Sequence, residues 1–439
     1  MLPTSISLKN YRSFPKIQTI ELRPVTLFYG INNAGKSALI RLLKIISDSV
    51  RPEAGGALEL ESSAVRGSSF KDIRWKGLND DDDPDIWLSF SWDDSQLGKA
   101  EFSLHWFEEW RRVLIRSFKA SDRTGAKYIE GKWIPVKQEM NSDEITYQVK
   151  TEDSSEYETV RIFFEGLIPN NTGDVFSSWL TLIKDHLRSF HRQVLWLESS
   201  RKPPGRITPY PTSPQRRIRP DGSDSGAVLA TQPKILSEVS GWYEQYLERK
   251  LTIESSSINH FRVALSTLQA DSENEFDVDL IDAGEGMIQV MPVLTSLALA
   301  RAWKEGGARI VAIEEPESHL HPKLQTALAS YITEKVREKD SPIIILETHS
   351  ELLLLSIQLE ILKKGIPPEN AVVYWISQLA NGESMVDQTT FDENGKFIGN
   401  RPPDVFSDDT ELARQILIHR LQREEPELAR QMLPHRGEK

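Results

Sequence analysis

Gly30-Ile31-Asn32-Asn33-Ala34-Gly35-Lys36-Ser37 satisfies G-x-x-x-x-G-K-[ST] at every fixed position. Its flanks agree with it: Val25–Tyr29 is a short apolar run of strand type, and Ala38–Ile46 an apolar run of helical type. Glycines in such a loop let backbone N–H groups close around a polyphosphate, and the following helix adds the partial positive charge of its N-terminus. In that frame Gly30, Asn32, Asn33, Ala34 and Gly35 form the cradle. Lys36 reaches the β- and γ-phosphates, and the Ser37 hydroxyl ligates Mg²⁺. The stretch predicts a nucleoside triphosphate site.

A second set of residues supports the first. Ile310-Val311-Ala312-Ile313 is a continuous apolar run, the pattern of a strand buried on both faces of a parallel sheet, and it ends in Glu314-Glu315-Pro316-Glu317. Carboxylates at the carboxyl end of such a strand sit where open α/β sheets bind ligands. Glu314 is expected in the Mg²⁺ shell, directly or through water, and Glu315 as the general base that polarises an attacking water. Pro342–Leu346 is another buried strand; it ends in Glu347-Thr348-His349-Ser350, which puts His349 within reach of the γ-phosphate or that water. Upstream, Asp282–Gln289 opens a helix, and Gly284, Glu285 and Gly286 leave its backbone open to an anion.

Ser5–Lys9 alternates polar and apolar as a half-buried strand does, and Gln18–Leu22 is a second strand leading into the loop. Asp80–Asp85 reads as a solvated acidic turn rather than a cation site. Short alternating runs between Ile86 and Phe164 predict an antiparallel meander. Val175–Val194 is amphipathic, with Trp179, Leu180, Ile183, Leu187 and Phe190 on one face. Pro233–Leu268 reads as helical with an interruption near Ser255–Ser257. Ser199–Pro220 carries Arg201, Lys202, Arg206, Arg216, Arg217 and Arg219 and no acid. It is either a flexible surface loop or one that contacts phosphates or nucleic acid, since Arg forks suit phosphate oxygens.

Composition narrows the class. Of 439 residues none is cysteine, which excludes disulfides, zinc–thiolate sites, iron–sulfur clusters and thiol catalysis. A formal charge of −12 disfavours non-specific coating of nucleic acid, though not a local basic groove. Met1–Phe14 lacks the apolar core of a signal peptide. The most apolar tract, Ile343–Leu355, is too short to span a bilayer and carries Glu347, His349 and Glu351. The expectation is a cytoplasmic protein with no membrane contact.

This order of parts resembles the ABC-type ATPase heads of the OLD and RecF-like group. The matching residues are Asn10-Tyr11-Arg12-Ser13-Phe14, the Gly30–Ser37 loop, Asp282–Gln289, Ile313–Pro322 and Leu346–Glu351. The resemblance covers the two ends of the chain and little of the middle. It implies an α/β fold with a mixed central sheet, an antiparallel meander and a helical insertion. Two heads would meet with ATP and Mg²⁺ at their interface, Gly284–Gly286 of one copy facing the γ-phosphate held by Lys36 of the other. Two departures stand out: no glutamine marks the loop that normally links Mg²⁺ to the lid, though Phe70-Lys71-Asp72 lies in that region, and the L-S-G-G-Q wording is absent. On this reading the core spans 1–50, 190–232 and 270–400, a β-rich lobe spans 51–170, helical insertions span 171–189 and 233–269, and 401–439 is a helical tail.

No acidic cluster of nuclease spacing follows Ser350. The chain is thus similar to stand-alone ATPase subunits of bacterial anti-phage systems such as Septu and PARIS, which implies a homodimer or larger assembly controlling a separate nuclease or toxin. Two alternatives remain: a RecF-like DNA-repair ATPase, and a nucleotide-gated scaffold that needs no turnover.

Overall fold

The structure, a computed structural model, describes residues 1–78, 83–134, 144–154, 156–171, 176–257, 259–268, 277–302, 308–337 and 341–400. Strands β1 (Ser5–Lys9) and β2 (Gln18–Glu21) form a hairpin. Strand β3 (Val25–Gly30) ends in the glycine-rich loop, and helix α1 (Lys36–Ser49) leaves it. The single turn α2 (Phe70–Ile73) starts at a box in which Ser69 and Asp72 cap each other. Strands β4 (Ile86–Ser91), β5 (Lys99–Phe107), β6 (Arg112–Ser121), β7 (Tyr128–Trp133), β8 (Glu144–Thr151), β9 (Glu158–Glu165) and β10 (Ile168–Asn171) then run back and forth.

These seven strands and the first hairpin make one antiparallel sheet, in the order β10-β9-β8-β7-β6-β5-β4-β1-β2. The expected meander is therefore present, but not as a lobe of its own over 51–170. Pairing from Ser5↔Ser91 to Lys9↔Trp87 joins it to the N-terminal strands, because both β1 and β4 have apolar faces that only a shared core can cover. Helix α3 (Ser177–Arg188) lies against β10 and buries Leu180, Ile183 and Leu187. Of the acidic turn, positions 80–82 lie outside the described residues; buried Asp85 pairs with His105 and Arg116.

Strand β11 (Val194–Leu197) returns to the core. It is followed by β12 (Thr208–Pro209), α4 (Ser225–Thr231), α5 (Pro233–Leu247), β13 (Arg249–Ser257), β14 (His260–Thr267), β15 (Val278–Asp279) and α6 (Glu285–Ala302). Here the helical reading of 233–268 is half wrong. Only the first part is a helix; β13 and β14 form an antiparallel hairpin with Leu251↔Leu265 and Ile253↔Val263 in register. Leu251, Phe261, Val263 and Leu265 are buried against α4–α6, and their period of two outweighed the helical look of the segment.

The last third contains β16 (Ile310–Glu314), α7 (Pro322–Lys335), β17 (Ile343–Thr348), α8 (Glu351–Leu362), β18 (Ala371–Gln378), β19 (Ser384–Phe391) and β20 (Phe397–Gly399). The central sheet has the order β11-β16-β17-β3-β18-β19-β20; its first five strands are parallel and the last two antiparallel. Strands β19 and β20 were not foreseen. The tail expected over 401–439 lies outside the described residues.

Alternate residues of the parallel strands face two cores. Ile310, Ala312, Ile345, Val372 and Tyr374 point to the side of α1 and the nine-stranded sheet. Val311, Ile313, Ile344, Leu346 and Val373 point to the side of α4–α8. The molecule is thus an α/β protein with a mixed central sheet, covered on one side by α1 and an antiparallel sheet and on the other by helices. Each fully buried Leu or Ile of these strands stabilises the layers by about 1.5–3 kcal/mol. No described helix is long and apolar enough to cross a membrane.

Candidate functional site

The loop between β3 and α1 is held open by its neighbours. A Cβ on Gly30 would fall 2.1 Å from the Ile376 carbonyl oxygen of β18. A Cβ on Gly35, whose φ is +108°, would fall 2.9 Å from both Phe14 Cζ and Ser13 Oγ. Asn33 is also left-handed, with φ of 67°. The turn Tyr11–Phe14 is therefore a wall of the loop, which accounts for the position of that motif in the chain. Ser384 of β19 joins that wall, its Oγ 2.7 Å from Ser13 Oγ and 2.7 Å from the Ala34 carbonyl.

No side chain caps the start of α1, so the helix presents its N-terminus to the cleft. Lys36 is 3% exposed, and its ammonium donates to the carbonyls of Gly30 (2.8 Å) and Ile31 (2.9 Å). Burial holds its pKa below the usual lysine value, against the pull of Glu347, Glu315 and Glu317. A cradle of N–H groups and one buried ammonium fits a polyphosphate.

Strand β17 lies between β16 and β3, with Glu314↔Glu347 and Glu347↔Phe28 in register. Ser37 donates its hydroxyl hydrogen bond to Glu347 Oε1 at 2.6 Å, not to Glu314. Glu347 is 4% exposed, and its second oxygen, Oε2, has no hydrogen-bond partner. Burial, reinforced by the charge of Glu314, raises the Glu347 pKa to about 7. Glu314 is 1% exposed and its carboxylate is already taken. Arg41 donates to it through Nε and Nη2, both at 2.6 Å, and Trp196 Nε1 donates at 3.0 Å. The sequence could not show this pairing, because Arg41 reads as an ordinary polar position on α1.

Glu315 follows with φ of 44°, its N–H donating to the Glu347 carbonyl at 2.8 Å and its Oε2 accepting from Ser318 at 2.9 Å. Glu317 is buried and accepts from Thr348 Oγ1 (2.6 Å) and the His349 N–H (3.2 Å); burial raises its pKa. The half-exposed ring of His349 stands with Nδ1 3.9 Å from Glu317 Oε1. Glu315 and His349 thus flank the ends of adjacent strands, as the spacing predicted.

A cleft of about 510 Å³ opens over the loop. Lys36, Ser37, Arg41 and Glu347 line it together with Asp72, Trp75 and Gln378. Asp72 comes from the Phe70–Asp72 segment singled out in the sequence, and hydrogen bonds from Ser69 and Lys76 lower its pKa to about 2. Sequence reasoning missed Glu347, Arg41, Trp75 and Gln378. Only the Leu346-Glu347 strand end carried a signal, an acid closing an apolar run.

Neither Gly284–Gly286 nor Glu315 and His349 are among the residues lining this cleft. Gly284 immediately precedes α6, and a Cβ on Gly286 in its first turn would lie 2.7 Å from the His319 carbonyl, just after the acidic segment. Gln289, one turn on, donates to the Arg201 carbonyl (2.9 Å) and to Glu285 (2.7 Å).

The basic stretch is largely committed within the chain. Arg201, 4% exposed, donates to the carbonyls of Glu314 (3.0 Å) and Glu315 (2.9 Å), and burial lowers its pKa to about 10. Lys202 pairs with Asp221 at 3.0 Å, Arg206 with Asp279 and Asp282, and Arg219 approaches Asp224 at 4.0 Å. Arg216 is also engaged, and burial and Arg192 lower the pKa of Arg217.

A triphosphate with Mg²⁺ fits these donors. Mg²⁺ takes one or two protein oxygens and leaves the rest of its octahedron to phosphates and water, which suits a serine hydroxyl beside one carboxylate oxygen without a partner.

Among solved structures the chain is similar to an SMC head domain from Thermotoga maritima (12% identity, 88% of this chain and 98% of that one, TM-score 0.43). It is similar also to an SMC head bound to the C-terminal winged-helix domain of ScpA (12% identity, 90% and 99% covered, TM-score 0.48). A third is an SMC head with an extended coiled coil bound to the C-terminal domain of ScpA, derived from Pyrococcus furiosus (11% identity, 95% and 98% covered, TM-score 0.45). No curated protein matches the chain in sequence. Residues 25–356, which hold the phosphate loop, the acidic strand and His349, match the family described as "AAA domain, putative AbiEii toxin, Type IV TA system". The chain belongs to that family of nucleotide-binding AAA-domain proteins.

Proposed function

We propose that this chain hydrolyses ATP with Mg²⁺ in the cleft over Gly30–Ser37, at the interface between two copies, and uses the cycle to control a partner effector. The single observation that carries the reading is the contact of Ser37 with a buried carboxylate beside the Lys36 cradle. Lys36 and the backbone from Gly30 to Gly35 bind and orient the phosphates. Ser37 and the buried carboxylate beside it would hold Mg²⁺, which would supply charge neutralisation to the triphosphate. Glu315 holds and deprotonates the attacking water, and His349 donates to the γ-phosphate or to that water. Arg201 fixes the backbone carbonyls of Glu314 and Glu315, which aims the acid without touching the reactants.

Gly284, Glu285 and Gly286 do not line the cleft of their own chain, and in this reading they meet the γ-phosphate held by a second copy. The family's description names a toxin of a toxin–antitoxin system, which supports a partner or activity downstream of the ATPase; phage defence is the setting proposed for it. For the RecF-like alternative, Arg201 and Arg206 are held inside the chain, while Arg219 stays exposed and only approaches Asp224 at 4.0 Å.

The test is turnover of ATP by the wild type, Lys36→Ala and Glu315→Gln, with mass measured in ATP and Mg²⁺. Loss of turnover in the first variant, a strong fall in the second and a doubled mass of Glu315→Gln in ATP are expected. Unchanged turnover in both variants refutes the enzyme; a monomer under all conditions refutes the shared site. Full biological activity of Glu315→Gln beside an inactive Lys36→Ala would favour the scaffold without required turnover.

A further inference from the structure

We propose that Glu347, and not Glu314, supplies the carboxylate for the Mg²⁺ of the bound triphosphate, and that Glu314 serves as the internal counter-ion of Arg41. The inference rests on the ATP reading above and assigns its metal site.

Three observations carry it. The first is topological. Strand β17 stands between β16 and β3, so the acid that ends β17 is one strand closer to the phosphate loop than the acid that ends β16. Mg²⁺ at such a loop is held by the serine together with an acid, and Ser37 meets Glu347 directly at 2.6 Å.

The second is a vacant acceptor. Glu347 is 4% exposed, lines the cleft, and leaves Oε2 without a partner. A buried carboxylate oxygen without a donor is costly unless something else satisfies it. A cation between that oxygen and the Ser37 hydroxyl would do so, and the remaining positions of an octahedral ion suit phosphate and water.

The third is the reverse situation at Glu314. Three donors converge on its two oxygens: Arg41 as a two-pronged fork and Trp196 through its indole N–H. Turning Glu314 toward a metal would strip a buried indole and a mostly buried guanidinium of their acceptor at once. Arg41 also lines the cleft, and its guanidinium is held at Glu314 by the two-pronged contact.

The experiment measures ATP affinity in Mg²⁺ and in EDTA for the full chain, in a Glu315→Gln background that prevents turnover. The added variants are Glu347→Gln and Glu314→Gln. The readout is the ratio of the two affinities, with far-ultraviolet circular dichroism confirming the fold. Wild-type residues at 314 and 347 are expected to give tighter binding in Mg²⁺. Glu347→Gln should lose at least tenfold of that gain, whereas Glu314→Gln should keep it. A Glu347→Gln protein that retains the Mg²⁺ gain, or a folded Glu314→Gln protein that loses it, overturns the assignment. If Glu314→Gln does not fold, the paired variant Arg41→Met with Glu314→Leu removes both charges together and is read in the same way. Absence of ATP binding in either buffer with both acids intact refutes the ATP reading itself, which separates the two failures.

Discussion

Replacing Arg41 by methionine keeps most of the aliphatic stem and removes the guanidinium. Glu314, 1% exposed, then retains only the Trp196 hydrogen bond at 3.0 Å and loses two charge-assisted bonds of 2.6 Å. Removing one member of a buried pair costs about 3–5 kcal/mol, because the other charge stays desolvated. That is a large part of the roughly 5–15 kcal/mol by which domains are stable. Glu314→Gln should cost less, about 1–3 kcal/mol, since its amide oxygen still accepts a hydrogen bond and Arg41 keeps some access to solvent. The paired change Arg41→Met with Glu314→Leu should recover most of the loss, since apolar replacements of buried pairs are often neutral. Urea unfolding in EDTA, followed by the fluorescence of the 11 tryptophans, measures all four proteins. The reasoning is refuted if Arg41→Met lies within about 1 kcal/mol of wild type, or if the double variant is no more stable than Arg41→Met alone.

Gly35→Ala should abolish nucleotide binding and lower stability by about 1–3 kcal/mol, because the new methyl meets Phe14 and Ser13 from a left-handed backbone; calorimetric titration and a thermal melt test this. Stability without nucleotide or metal should fall as pH rises from 4.5 to about 7, since native Glu347 keeps a proton that the unfolded chain has released. That contribution, fully present below pH 4.5, is worth about 3 kcal/mol, and Glu347→Gln should flatten the slope in that window; an identical slope in the variant refutes burial as the cause. Arg201→Met should cost about 2–4 kcal/mol by leaving two buried carbonyls without a strong donor. It should also slow turnover more than it weakens ATP affinity, as a loss confined to affinity would contradict.

The phosphate loop was legible because its constraints are local: Gly30, Asn33, Gly35 and Lys36 act through backbone geometry that adjacent residues specify. The acidic strand end and His349 were legible for the same reason, an apolar run that stops at polar residues. What remained hidden depends on strand order. Nothing in the chain's own succession says that β17 intervenes between β16 and β3, so the choice between Glu314 and Glu347 could not be made from spacing. The Arg41–Glu314 pair spans 273 positions and leaves no pattern in either segment. The hairpin of β13 and β14 was obscured by Ser255–Ser257, which mark an irregular pairing register rather than a break between helices.

The family match runs from 25 to 356, yet the parts that grip the phosphate loop come from outside both limits. Phe14 and Ser13 press on Gly35 from before it; Ile376 backs Gly30 and Ser384 holds Ala34 from after it. Excising the matched block would thus deliver the loop, the acidic strand and His349 while discarding the mould of the loop. A useful truncation has to be drawn around the two flanking segments, at least from Ser5 to Phe391, rather than around the signature that first attracts the eye.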